Sequence, residues 1–162
     1  PTSSSVIERA CTALEAGKTR YTDSRGVERL REALSVWYQS HGLDVPARRI
    51  QITMGASAGL LLASAATTNP GDGVLMADPA YPCNPRFVEA VGGEVHWITT
   101  DVTTQFQPTC KALEAEATSS DRTLMLAHPA NPTGQAVPRA ELERMIHWCL
   151  TTHRHLIIDE IY

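Results

Sequence analysis

The stretch LIIDEIY (156–162) places an acidic residue directly after a run of aliphatic side chains. A short aliphatic run of this kind is typical of a strand that is buried in a parallel sheet. Asp159 therefore lies at the carboxyl end of a predicted strand, the edge where open α/β sheets hold their ligands. A carboxylate at this place needs a charged or hydrogen-bonding partner, or else it is the N-cap of a following helix.

Upstream of this stretch, short apolar runs alternate with segments of helical periodicity. The predicted strands are 50–54, 73–77, 94–98, 123–127 and 156–158, and the helices between them are 56–67, 84–91, 109–118 and 139–152. Strands that alternate with helices are joined by crossover connections. The predicted fold class is therefore α/β, with a mainly parallel sheet and helices on both faces.

Two further helices are predicted before the alternating region. Ser5 and Glu8 have the spacing of a capping box, and apolar residues recur at helical spacing from there to Gly17. This first helix is expected to lie outside the sheet. A second helix is predicted over 26–41, where Gly42 supplies a natural C′ residue.

Composition and charge restrict the partners of the chain. The 162 residues are 43% hydrophobic and 20% charged, with a formal net charge of -4, which is ordinary globular composition. The basic residues are scattered, so neither nucleic acid nor a membrane surface is an expected partner. The four cysteines form no C-x-x-C pair and His153 and His155 have no third ligand, so we expect a cytoplasmic protein with reduced thiols and no metal.

Small residues form the turn between the first predicted strand and its helix. Gly55, Ala56 and Ser57 would let backbone N–H groups and a helix N-terminus approach a phosphate, with the Ser57 hydroxyl as another donor. Turns of this composition also serve close packing alone, so both interpretations stay open at this point. A dinucleotide-binding domain is disfavoured because no G-x-G-x-x-G follows the first strand.

Two proline-containing loops follow predicted strands at the same sheet edge. DPAYP (78–82) projects Tyr81 over that edge, where an aromatic ring either stacks on a flat ligand or simply packs in the loop. NPTG (131–134) contains two turn-forming pairs and lies one helix-plus-strand unit before Asp159. The loops therefore bring Tyr81, Asn131 and Asp159 toward one predicted pocket.

These motifs together resemble the class I/II aminotransferases, which are pyridoxal 5'-phosphate (PLP) enzymes of fold type I. The segment YTDSRG (21–26), followed by LREA (30–33), also matches a motif of that family. The resemblance covers essentially the whole chain. It implies transfer of an amino group between an amino acid and a 2-oxo acid in a homodimer with PLP.

The resemblance also implies a role for each matching residue. Gly55, Ala56 and Ser57 cup the cofactor phosphate and Tyr81 stacks on the pyridine ring. Asn131 and Tyr162 bond the phenolic oxygen, and Asp159 pairs with the protonated ring nitrogen. Tyr21 reaches the cofactor phosphate of the partner subunit, and the bonds Asp78-Pro79 and Asn131-Pro132 are expected to be cis.

The family's Schiff-base lysine has no match here, because Lys18 and Lys111 lie outside its motif. No catalytic residue is therefore assigned in this chain. We interpret 1–25 as an N-terminal helix and interface segment and 26–162 as part of the large PLP-binding domain, without the later strands and the small domain. The alternatives are a truncated, non-catalytic chain that acts as an interaction partner, or another fold type I enzyme such as a β-lyase or decarboxylase.

Overall fold

The computed structural model describes all 162 residues, which form two compact units, Pro1–Thr53 and Met54–Tyr162. The first unit contains the helices α1 (Ser4–Glu15) and α2 (Glu28–Ser40) and a 3-10 turn at Ala47–Arg49. The boundary expected after residue 25 is not where these units divide, so that domain assignment stays a prediction about the complete fold.

Helix α1 forms as predicted, but its N-terminus differs from the predicted capping box. The N-cap is Ser3, and no side chain caps the helix. Ser5 and Glu8 therefore lie inside the helix, and the Ser5 hydroxyl contacts that of Ser3 at 3.1 Å. The capping box was wrong because three consecutive serines offer several possible N-caps. None of the residues of α1 is buried.

Helix α2 is anchored to the rest of its unit by polar side chains. Arg31 is buried and donates to the carbonyl oxygens of Gly26 at 3.3 Å and Ala47 at 3.2 Å. The Ser35 hydroxyl donates to the Val45 carbonyl at 2.7 Å. The helix ends as predicted, because Gly42 follows it with φ at 79°.

The predicted strand 50–54 does not form. The Ile52 N–H donates to the Arg25 carbonyl at 3.0 Å, so this segment pairs with the loop before α2 instead of a strand. Gly26 makes the approach possible: its φ is 93°, and a Cβ there would lie 2.5 Å from the Ile52 Cβ. The prediction was wrong because β-branched residues favour an extended backbone whether or not a neighbouring strand is available.

The second unit is a four-stranded, fully parallel sheet with helices on both faces. Its strands are β1 (Gly73–Asp78), β2 (Glu94–Thr99), β3 (Asp121–Ala127) and β4 (His155–Asp159), in the order β2-β1-β3-β4. Its helices are α3 (Gly55–Thr67), α4 (Asn84–Ala90), α5 (Cys110–Glu116) and α6 (Arg139–Thr151), with a 3-10 turn at Val102–Thr104. The predicted fold class and the other four predicted strands are confirmed.

One face of the sheet forms a core with α5 and α6. Leu75 of β1 and Leu124 of β3 are buried there. The two helices contribute Leu113, Met145 and Trp148 to the same cluster. This core closes the face of the sheet that lies away from α3 and α4.

The opposite face forms a second core with α3 and α4. Val74, Met76 and Met125 pack there against Leu60 and Val88. Since side chains alternate between faces along a strand, a central strand that is covered on both sides presents apolar side chains at consecutive positions. This requirement explains the continuous apolar runs in the sequence.

At the amino-terminal edge of the sheet, a buried carboxylate bridges the strands. The Asp121 side chain is fully buried, with Oδ1 2.5 Å from Nδ1 of His96 on β2. Its Oδ2 accepts from the Thr118 N–H at 2.6 Å and from the Thr118 hydroxyl at 3.0 Å. Gly73 on β1 lies between the two, and its lack of a side chain leaves room for the carboxylate.

Candidate active site

A cavity of about 210 Å³ lies at the carboxyl edge of the sheet. Its walls are Ala56, Ser57, Leu60, Tyr81, Ala127, Asn131, Asp159, Ile161 and Tyr162. Because all four strands are parallel, the loops that follow β1, β3 and β4 meet at this edge. The predicted convergence of Tyr81, Asn131 and Asp159 on one pocket is therefore observed.

Asp159 is the last residue of β4 and lies opposite Ala127 of β3. Its carboxylate is half-buried, and its Oδ1 accepts the Ile161 N–H at 3.2 Å. That bond is the local turn expected of an Asp after a strand. No arginine, lysine or histidine forms an ion pair with it, so the carboxylate faces the cavity without a cationic partner from the chain.

Asn131 and Tyr162 meet on the cavity wall. The Asn131 side-chain amide donates to the Tyr162 hydroxyl at 3.3 Å, which brings an amide and a phenol to one point. The Asn131 loop is closed by backbone bonds from Ala130 N to Gln135 O and from Gly134 N to Ala130 O, both 2.7 Å. These contacts hold the two polar groups where one ligand oxygen can bind both.

Tyr81 forms another wall of the cavity and is 37% exposed. Its loop begins at Asp78, whose carbonyl accepts a hydrogen bond from the Thr100 hydroxyl. Hydrogen bonding with the Cys83 thiol is the main cause that raises the pKa of the Tyr81 phenol, and a phenol is neutral at physiological pH even without such a shift. A neutral aromatic ring at a cavity wall is suited to stacking on a flat ligand.

Two predicted cis bonds, Asp78-Pro79 and Asn131-Pro132, are confirmed. A third cis bond, His128-Pro129, was not predicted. It precedes the Asn131 loop, where the His128 Nδ1 accepts the Val137 N–H at 3.2 Å. The sequence signal is the repeated X-Pro in HPANP (128–132), but an X-Pro pair in a turn does not by itself specify a cis bond.

The N-terminus of α3 contributes the small residues of the cavity. Gly55 begins the helix with φ at 81°, a conformation that other residues rarely adopt. Ala56 and Ser57 line the cavity, whereas Gly55 does not. The Met54 side chain does not cap the helix, and no acidic residue lies in its first turn. The N-terminal end of α3 is therefore suited to binding an anion.

Tyr21 belongs to the first unit, where it lies between α1 and α2 with a fully exposed side chain. The cavity is formed by residues of the second unit. The expected reach of Tyr21 to a partner subunit's cofactor stays a prediction.

The lysines and the histidines His153 and His155 do not line the cavity. Lys18 and Lys111 are both exposed, and neither lines it. No group of three or more His, Cys, Asp or Glu side chains is placed to hold a metal ion, and His153 and His155 are exposed. All four cysteines are free thiols. None of the helices has the length and apolar character required to cross a membrane.

Comparisons with known proteins agree with this geometry. The family model for aminotransferase class I and II matches residues 2–162. Valine–pyruvate aminotransferase of Mycobacterium tuberculosis is 40% identical over 158 residues, which are 97% of this chain and 40% of that protein. The aspartate aminotransferase of Thermotoga maritima is 29% identical over 100% of this chain and 43% of its own length.

Solved structures show the same fold. A crystal structure of an aminotransferase from Mycobacterium tuberculosis has a TM-score of 0.91 at 40% identity, covering 97% of this chain and 41% of that one. A double mutant of the Thermus thermophilus aspartate aminotransferase has a TM-score of 0.94 at 32% identity, covering 99% and 42%. The chain thus spans about 40% of the length of the relatives it matches.

Proposed function

The chain belongs to the aminotransferase class I and II family, and we propose that the complete protein carrying it moves an amino group between an amino acid and a 2-oxo acid with PLP as cofactor. The observation that carries this proposal is the single cavity formed by Tyr81, Asn131, Asp159 and the start of α3. Each of these groups suits a different part of that cofactor.

The residues of the cavity fit PLP by their chemistry. Tyr81 offers a neutral aromatic face to a flat ring, and the α3 N-terminus with Ser57 offers donors to a phosphate. Asn131 and Tyr162 offer an amide and a phenol to one oxygen, the cofactor's phenolic oxygen. The Asp159 carboxylate, which has no cationic partner in the chain, suits a protonated ring nitrogen.

Bound PLP supplies an electron sink that stabilises negative charge at the substrate's α-carbon. The role of Asp159 is to keep a proton on the ring nitrogen while that charge develops, because a carboxylate stabilises the cationic form of its neighbour. Asn131 and Tyr162 would hold the phenolic oxygen through the amide and the phenol that meet at the cavity wall. Tyr81, which lines the cavity, would orient the ring by stacking on it and would exclude water from that face.

PLP titration of the complete protein tests this proposal. We expect a saturable change in the visible absorbance of PLP, and a further change when an amino acid is added and its 2-oxo acid is formed. Tyr81→Leu, which keeps an apolar wall but removes the aromatic face, should weaken cofactor binding. A wild-type protein that leaves the PLP spectrum unchanged at saturating cofactor would refute the proposed function.

The relatives suggest which substrates to test first. A valine–pyruvate aminotransferase is 40% identical to the chain, whereas aspartate aminotransferases such as that of Thermotoga maritima are 29% identical. We therefore propose an aliphatic amino donor such as valine, with pyruvate as acceptor. Aspartate with 2-oxoglutarate is the matched alternative pair. Faster turnover of the aspartate pair would overturn this substrate assignment without affecting the cofactor assignment.

A second candidate function is cofactor binding or subunit association without catalysis. The observation that favours it is that Lys18 and Lys111 are exposed and outside the cavity, so neither is placed for covalent attachment of PLP. Borohydride reduction of the PLP-loaded complete protein, followed by peptide mass spectrometry, separates the two candidates. A pyridoxyl group on one specific lysine supports the enzyme, and its absence supports the non-catalytic alternative.

Product analysis separates the aminotransferase from a β-lyase or a decarboxylase. An aminotransferase consumes one 2-oxo acid for each one it forms, whereas the other two reactions need no amino acceptor.

The homodimer and the contribution of Tyr21 to a partner's site belong to this proposal as well. Mixing a Tyr21→Phe protein with an Asp159→Asn protein should restore part of the activity if each site draws residues from two subunits.

A further inference from the structure

A second, smaller cavity lies behind the Asn131 loop. Its volume is about 30 Å³, and three carboxamide side chains, those of Asn84, Gln107 and Asn131, form part of its wall. The remaining wall is apolar or proline: Met76, Ala77, Pro79, Ala80, Phe106, Pro108, Met125, Leu126, Ala127 and Ala130. A buried water needs at least about 10–15 Å³ of such space and two to four polar partners. The cavity meets both requirements and is too small for an organic ligand.

Asn84 provides the decisive observation. Its side chain is 3% exposed, and its buried Oδ1 has no hydrogen-bond partner within the protein. Its backbone N–H donates to the Tyr81 carbonyl at 3.0 Å, so the residue is held in place at the end of the Tyr81 loop. Buried amide oxygens are almost always hydrogen-bonded, to protein or to ordered water. The polar cavity next to Asn84 offers such a water a place.

Gln107 and Asn131 connect the same cavity to the candidate active site. Gln107 is 4% exposed, and its Nε2 donates to the Thr133 hydroxyl at 3.4 Å, within the Asn131 loop. Asn131 lines both this cavity and the larger one, where its amide donates to Tyr162. A molecule bound in the small cavity would therefore touch the residue that is assigned to the cofactor's phenolic oxygen.

We propose that this cavity binds one water, which donates to the Asn84 Oδ1 and bonds the amides of Gln107 and Asn131. Asn84 is thereby a positioning residue: it acts through the water on Asn131 and ties the Tyr81 loop to the Asn131 loop. The effect on cofactor binding rests on the proposed function, whereas the water and the orientation of Asn131 do not.

Crystal structures of the complete protein test the water directly. The wild type should show an ordered water within hydrogen-bond distance of Asn84 and at least one other amide. In Asn84→Leu, whose side chain is of similar size but apolar, the water should be absent and the Asn131 amide should turn away from the Tyr162 hydroxyl. A wild-type cavity without density for water, or an unmoved Asn131 in Asn84→Leu, would overturn the proposal. If Asn84→Leu does not fold, the near-isosteric Gln107→Met removes another amide of the cavity, and its crystal structure should lack the water while Asn84 is intact.

Cofactor affinity supplies the functional measurement. Asn84→Leu should weaken PLP binding by about tenfold, which is the effect expected when one buried supporting hydrogen bond is removed. Asn84→Ser, which keeps an uncharged oxygen acceptor for the water, should bind PLP more tightly than Asn84→Leu. Val88→Ala is the matched control, because Val88 is buried in the same helix but does not line either cavity. It should lower the melting temperature and leave PLP affinity unchanged.

The outcomes separate the two proposals. If the wild-type protein binds PLP and Asn84→Leu binds it with the same affinity, the positioning role of Asn84 is wrong and the proposed function still stands. A wild-type protein that does not bind PLP contradicts the proposed function, and the two crystal structures then still decide on the water and on Asn131.

Discussion

Replacing Gly73 with alanine is expected to destabilise the second unit, because a methyl group at this position would occupy the space of the Asp121 carboxylate. An ideal Cβ at Gly73 overlaps the Asp121 Oδ1 and lies 3.1 Å from the His96 Nδ1. Gly73 is paired on both sides, with Glu94 of β2 and Asp121 of β3, so its backbone has little freedom to move away. The carboxylate is the group that must shift.

The size of the effect follows from what holds that carboxylate. Its side chain is fully buried, 2.5 Å from the His96 imidazole. The Thr118 N–H and hydroxyl add hydrogen bonds of 2.6 and 3.0 Å. Disturbing a buried polar group so that its hydrogen bonds are lost typically costs about 1–3 kcal/mol, and more where the group is charged. Because whole domains are stable by only about 5–15 kcal/mol, the destabilisation should be plain in any unfolding experiment.

Urea unfolding followed by circular dichroism, at constant pH, measures this destabilisation. The informative comparison is a double-mutant cycle with Asp121→Ala. Where the carboxylate is already missing, Gly73→Ala should cost less than about 1 kcal/mol, because the added methyl group no longer overlaps a carboxylate oxygen. Equal costs in the two backgrounds, or a cost below about 1 kcal/mol in the wild type, would refute the steric argument.

Three further predictions concern the site, a helix cap and a buried thiol. Asp159→Asn keeps the acceptor for the Ile161 N–H but removes the charge of the side chain. The kcat should therefore fall by about a hundredfold, while the melting temperature of the apo protein stays unchanged. Turnover within a few-fold of wild type would mean that Asp159 only forms the turn. Glu141→Ala should lower the free energy of unfolding, measured in thermal melts, by about 0.5–2 kcal/mol, because the Glu141 Oε1 accepts the Cys110 N–H at the start of α5. The control is Glu143→Ala, which should change the stability little because Glu143 is exposed. Burial raises the pKa of the Cys149 thiol to about 11, above the 9.0 of a free thiol, so the thiol loses its proton at lower pH in the unfolded state than in the folded state. The free energy of unfolding should therefore fall as the pH rises between these two values. The fall should be smaller in Cys149→Ala.

The sheet was predictable because its central strands obey one rule throughout. Val74, Leu75 and Met76 are buried on alternating faces, so the middle of β1 is one apolar run, and Leu124, Met125 and Leu126 repeat the pattern in β3. Once the strands are known to be parallel, the residues after them share one edge. The positions of Tyr81, Asn131 and Asp159 followed from that argument and from the resemblance, and the cavity brings them together.

The features that could not be predicted depend on contacts between distant segments. Whether 50–54 becomes a strand depended on the Arg25 carbonyl, which occupies the Ile52 N–H. Asn84 and Gln107 look like ordinary polar residues of a loop or helix start, and only the packing of separate segments around them makes their amides buried. A single sequence carries no signal for burial that arises from three separate loops.

The residues that line the cavity differ in the kind of contact they offer, and experiments can distinguish them. The residues of this chain that line the cavity all offer non-covalent contacts: a stacking ring, hydrogen-bond donors and one carboxylate. Neither lysine lies among them. If the complete protein binds PLP as proposed, changes in these residues should therefore affect how tightly the cofactor ring is held and how its nitrogen is charged, and covalent attachment would need a group outside this set. Under the proposed function, Asn131→Ala should mainly weaken PLP binding, because Asn131 is assigned to the phenolic oxygen, whereas Asp159→Asn should mainly lower kcat, because Asp159 is assigned to the ring nitrogen.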